Sequence, residues 1–255
     1  MLVLLATAPS SGTRAATVAA EQATDLSGRW QARRAPPLVR AATGTSGALQ
    51  TTEGRLPPYT VAAQSRFWHR VDMEQRGTPV ANTQDTCRPR LPQAMLSLFL
   101  GPFDVVQTAT ALYLLFEADG DHAWQIRLDR DHPRKLRPSY FGDSVGRWEK
   151  GELVVDGVGF NGRPWLDGQG SPLGPRAHIV TRMNRSGDTL KFTITIVDPE
   201  NYSHAWSYEY VADRRPDLNF YEVHCLENVR PESNENIVYE DIKPIPGIFD
   251  ARGNH

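Results

Sequence analysis

The sequence predicts a mainly β domain: an antiparallel β-barrel, lipocalin-like in shape, with an N-terminal helical and loop segment packed across it. Three observations carry this. Extended apolar-rich runs follow one another at roughly ten-residue spacing from Phe103 onward. Within them apolar and polar residues alternate, the period that sends successive side chains to opposite faces of a strand. Glycine-bearing turns separate the runs at Asp119-Gly120, Lys150-Gly151 and Ser186-Gly187-Asp188.

The elements follow in order. Residues 21–56 form a polar, turn-rich extension, in which Asp25 to Trp30 (DLSGRW) reads as a turn entering a first strand. Thr60 is placed to cap a helix over Val61–Arg76, with Val61, Phe67, Trp68 and Val71 as its apolar residues. Cys87 to Pro92 (CRPRLP) reads as rigid loop.

Strands are then expected at Phe103–Thr108, Ala111–Ala118 and Ala123–Arg130. Leu112, Leu114 and Phe116 share one face of the second, and Trp124, Ile126 and Leu128 one face of the third. The hairpin between them is expected to bring Glu117 and Arg127 together as an ion pair, either structural or lining a cavity.

Arg147 and Trp148 end a short extended run, Lys150-Gly151 turns the chain, and Glu152–Val158 (ELVVDGV) follows as a β-branched strand. Its faces are Leu153, Val155, Gly157 and Val154, Asp156, Val158. Asp156 therefore sits between two valines, where a carboxylate must be paired, hydrogen-bonded or protonated. It is either a structural anchor or a site group.

Residues 159–167 (GFNGRPWLD) form a loop bearing Asn161, Arg163, Trp165 and Asp167. Trp165 either contacts a ligand or plugs one barrel end. Further strands are expected at Ala177–Met183, Thr189–Val197, Trp206–Asp213 and Asn219–Glu227, and residues 229–255 read as a wrapping tail. The barrel domain spans residues 57–228.

Composition narrows function. The chain has 255 residues, 40% hydrophobic and 23% charged, enough for a sizeable core. A net charge of −2 gives no argument for nucleic acid or an anionic membrane surface. No apolar run approaches the roughly 20 residues that span a bilayer. Leu2 to Ala8 followed by small residues up to Ala20 fits an export signal over residues 1–20, without the usual basic residues ahead of the apolar run. The expected location is periplasmic or secreted. The two cysteines, Cys87 and Cys225, lack zinc-type spacing; in an exported chain they read as one disulfide, and in a cytosolic one as core thiols.

No Gly-rich phosphate loop, nucleophile elbow or helical His-Glu metal motif is present among the seven scattered histidines. His178, on a strand face with Val180 and Arg182, is the natural general base or a structural histidine. The expected catalytic set is His178 with Asp156 or Asp143 orienting it, and Glu117. Arg127, Tyr140, Asn161, Arg182 and Tyr202 are expected to bind a substrate, with Trp148, Trp165 and Trp206 shaping an apolar pocket.

Several segments resemble a large group of exported bacterial proteins whose reaction is not established. They are PPYT at Pro57, PFDVVQT at Pro102, the His132-Pro133 pair, the run from Ser144 to Asp167, the AHI strand at Ala177, the TI and DP segments after Leu190, and the C-terminal YEVHCLEN. The likeness covers about Pro57 to Asn228. It implies export, a β fold and a Cys87–Cys225 disulfide. That group carries further histidines where this sequence has Gly142-Asp143-Ser144 and Pro172-Leu173; of its histidines, His132 and His178 are matched. No metal ligand set is implied here.

The leading expectation is an enzyme acting on a small apolar or aromatic molecule. It would move protons within a barrel cavity, as an isomerase, cyclase, lyase or hydrolase without an organic cofactor. The alternatives are a periplasmic carrier of such a molecule, and a scaffold with a filled barrel.

Overall fold

In the computed structural model, residues 24–34, 38–40, 47–78, 80, 88–98, 101–117 and 123–221 are described. The strands are β1 (Gly28–Arg34), β2 (Leu38–Arg40), β3 (Gly47–Leu49), β4 (Pro102–Gln107), β5 (Ala111–Phe116) and β6 (Ala123–Leu128). They continue as β7 (Asp143–Glu149), β8 (Glu152–Val158), β9 (His178–Ser186), β10 (Thr189–Val197) and β11 (Trp206–Arg214). Two helices, α1 (Val61–Gln75) and α2 (Pro92–Leu98), precede β4.

β1 and β4 to β11 close a barrel in the order β1-β11-β10-β9-β8-β7-β6-β5-β4, while β2 and β3 pair separately. The lipocalin-like barrel class therefore holds, with one correction. β6 and β7 run parallel, Arg127 opposite Val145 and Leu128 opposite Gly146, so the barrel is mixed. A parallel pair needs a crossover, and residues 129–142 supply it by returning along the outside of the wall.

The alternation read from the sequence sorts the strands. Leu112, Leu114 and Phe116, Trp124, Ile126 and Leu128, and Leu190, Phe192, Ile194 and Ile196 are all buried. They join Trp30, Phe103, Tyr208 and Tyr210 in one continuous core. These large side chains fill the barrel centre.

The β7–β8 hairpin is tight because Lys150 and Gly151 both take left-handed φ values, 51° and 79°, the conformation a two-residue turn of this kind requires. Thr60 caps α1 by accepting from Ala63 N, and the helix buries Ala63, Phe67, Arg70 and Val71. Val61 and Trp68, expected to pack, are exposed. α2 replaces part of what reads as loop and strand approach. It opens on Pro92, whose ring suits a first helical position. Residues 219–221 are not strand. The Asp119-Gly120 turn, residues 1–20, Cys87 and Cys225 lie outside the described residues. Among those described, no helix is long and apolar enough to cross a membrane.

Candidate functional site

The inner face of β8 holds Leu153 and Val155, and that of β9 holds Ile179, Thr181 and Met183, all buried. Asp156 and His178 therefore point to the outer wall. Asp156 lies opposite Val180, so His178 is its diagonal neighbour, within reach of a long side chain. His178 Nε2 and Asp156 Oδ1 form a short hydrogen bond. The face expected to be apolar is half-exposed instead, and the carboxylate is paired although burial does not force it to be.

A second pair sits beside the first. Arg127 Nη2 donates to both Asp143 oxygens, at 2.7 and 2.6 Å. His132 Nδ1 lies 2.6 Å from Asp143 Oδ2. The opposite atom of that ring, Nε2, is 3.7 Å from Asp156 Oδ2, and it is buried with no hydrogen-bond partner. Arg127, Asp143, His132, Asp156 and His178 thus form one continuous polar chain across four strands and the crossover loop.

The crossover loop builds this arrangement. Ser139 N donates to Gly159 O at 3.0 Å, and Asn161 N donates to Ser139 O at 2.9 Å. Gly142, at φ 66°, ends the loop where a Cβ would stand 2.5 Å from Val158 O; only glycine accepts both that conformation and that contact. Asp143 follows directly and is aimed at His132.

The other expected residues lie apart. Arg127 pairs with Ala111 at the far end of β5 from Glu117, so the expected Glu117–Arg127 ion pair is not formed. Glu117 accepts from Tyr221 N at 2.8 Å, and Arg127 holds Asp143. Arg182 lies further along β9, paired with Glu152 at 2.9 Å and Glu149 at 3.5 Å. Trp148 lies near the opposite barrel end, where it lines an open cup of about 430 Å³ with Leu128, Asp25 and Asp129. Tyr140 is on the crossover loop near Asp143. Asn161 accepts from Arg163 N at 3.1 Å, shaping its own loop.

Trp165, Tyr202 and Trp206 belong to a packed barrel end. The Arg70 guanidinium sits 4.6 Å from the centre of the Trp165 ring, and Tyr202 donates to Pro172 O at 2.8 Å. Beneath them Asp167 is buried. It accepts from Leu49 N, Gln169 N and Ser171 N, each at 3.0 Å, and from the Ser171 hydroxyl. Burial raises its carboxyl above the ordinary range, against the pull of these donors. The same burial, with the Asp167 charge nearby, pushes Tyr59 far up. This second centre anchors the loop, with Asp167, Ser171 and Tyr202 all buried.

His132 is the group that residue-by-residue reading did not place in the site. The likeness around His132-Pro133 was its one signal, since a lone histidine in a basic loop carries no spacing to decode. Among the described residues, no group of three or more His, Cys, Asp or Glu has metal-binding geometry. Comparison with known families, characterised proteins and solved structures finds no match to this chain.

Proposed function

We propose that the protein is an enzyme that moves a proton on a small apolar or aromatic molecule, working on the outer wall of the barrel and not within it. The observation that supports this reading is the His178–Asp156 pair backed by His132 and Asp143. His178 turns Nε2 to a carboxylate. Among the described residues nothing else hydrogen-bonds the ring, so Nδ1 is the atom left to exchange a proton with a ligand. Asp156 fixes the ring and stabilises the imidazolium that forms, the role a carboxylate plays behind a catalytic histidine. Valines flank the pair: Val197 is paired with His178 and Val180 with Asp156. They offer apolar surface beside the proton-transfer atom. An isomerase, lyase, cyclase or hydrolase step fits this set, and none of these requires an organic cofactor for the proton itself.

The test uses the full chain and the His178→Ala variant, each incubated in D₂O with small-molecule extract of the producing organism. Mass spectrometry follows deuterium uptake and mass changes. At least one compound is expected to change with wild type and to change about 100-fold or more slowly with the variant. Identical profiles for the two proteins would sink the proposal.

A carrier reading draws on one observation, the open cup beside Trp148. Native mass spectrometry separates the two: a retained organic mass lost in Trp148→Ala but kept in His178→Ala supports the carrier.

A further inference from the structure

We infer that the molecule handled at the His178–Asp156 pair carries an anionic group, which the crossover loop recognises through Arg134, Lys135 and Arg137. The inference rests on the proposed site and names its substrate class. The loop is fixed at three points along the wall. His132 bonds Asp143, Leu136 lies against Gly159, and Ser139 exchanges backbone bonds with Gly159 and Asn161. Arg134, Lys135 and Arg137 fall between these points, on the same loop as His132, which reaches both Asp143 and Asp156. All three are exposed.

A basic run is commonly a solvated face; what sets this one apart is its place on a loop anchored at His132, Leu136 and Ser139. The acids around the site are already engaged: Asp143 by Arg127 and His132, Asp156 by His178, and Asp131 by Arg147 at 2.7 Å. Asp129 stands exposed at the opposite end of the loop, lining the cup near Trp148. Among the described residues, Arg134, Lys135 and Arg137 have no ion-pair partner. Three uncompensated cations thus sit on a constrained backbone whose first anchor, His132, belongs to the proposed site. Guanidinium forks and ammonium groups in that setting bind carboxylate or phosphate oxygens. The fitting ligand has an apolar body lying against the valines and an anionic end held by the loop.

The experiment measures ¹⁹F NMR binding of 4-fluorobenzoate, 4-fluorophenyl phosphate and the neutral 4-fluorobenzamide to the full chain. At low salt at least one anion is expected to bind about tenfold or more tightly than the amide. The preference is expected to fade at about 0.5 M NaCl, where exposed charges are screened. Which anion binds better identifies the group recognised. Arg134→Gln/Lys135→Gln/Arg137→Gln, all at exposed positions, is expected to bring the anions to parity with the amide. His178→Ala is expected to keep the preference, which separates charge recognition from the proton-transfer reading. The inference falls if no probe binds, if the amide binds as well as the anions, if the preference survives the triple substitution, or if it vanishes with His178→Ala.

Discussion

His132 Nδ1 lies 2.6 Å from Asp143 Oδ2, and this contact ties the crossover loop to the start of β7. Through it the Arg127–Asp143 pair on one side reaches the Asp156–His178 pair on the other. Across β7 and β8 the two carboxylates are diagonal neighbours, Asp156 lying opposite Val145, and His132 bridges them.

Asp143→Asn removes a carboxylate that two cationic or polar partners share. It is expected to cost on the order of 1–3 kcal/mol of stability, because Arg127 and His132 each lose a charge-assisted partner in a part-buried place. Urea melts of Asp143→Asn, Arg127→Met and the double variant check this. The double is expected to cost less than the sum of the singles, since the residues share one interaction. Strict additivity would mean that the pair is not coupled.

Gly142→Ala forces a side chain into a left-handed position against Val158 O and the Phe160 ring. An expected loss of about 1–3 kcal/mol follows from the backbone strain. The proposed proton-transfer activity is expected to fall more steeply than stability, because the adjoining Asp143 shifts. Comparing turnover with melting temperature separates the two effects.

Phe192 packs in the barrel centre with ring centres 6.0 Å from Phe103 and 5.5 Å from Tyr210. Phe192→Ala is expected to cost about 3–5 kcal/mol, the range for emptying a close-packed aromatic site. A loss under about 1 kcal/mol would show that the barrel centre collapses easily.

Asp167 supplies a pH test. Its folded-state carboxyl is raised by burial, so the folded protein keeps a proton that the unfolded chain has released. Stability attributable to this group is therefore full below the unfolded carboxylate value and declines as pH rises toward the folded one. Asp167→Asn lacks that decline. It also leaves part of a four-donor site unfilled, at a cost of roughly 1–3 kcal/mol. The gap between wild type and variant is expected to narrow as pH rises above the ordinary carboxylate range. Urea unfolding at a series of pH values measures it, and a gap that widens would overturn the assignment.

Much of the fold was legible. The inward residues of β5, β6 and β10 follow from alternation, because the filled barrel buries their apolar faces; β8, with valines on both faces, needed the structure to decide. Thr60 and the Lys150-Gly151 turn were legible for local reasons, a side-chain acceptor ahead of a helix and a glycine where φ is positive. α2 was not, since its seven residues are too few for helical periodicity to show. Sequence offered Asp156 or Asp143 as the partner of His178, and the structure selects Asp156, while Glu117 was assigned the wrong partner. The hairpin does bring the two strands together, but register places Arg127 against Ala111, six residues from Glu117 along the chain.

The sequence by itself determined that this chain makes a barrel and which faces of β5, β6 and β10 are apolar; that the interior is filled and not a ligand cavity came from the structure. The first two depend on local period and turn chemistry. The tertiary structure alone decided that β6 and β7 run parallel, that residues 129–142 return along the outer wall, and that His132 thereby reaches both Asp143 and Asp156. Strand direction across a long connection is set by how the whole sheet closes. No local pattern of residues encodes it, so the site on the outer wall became visible only once the barrel was closed.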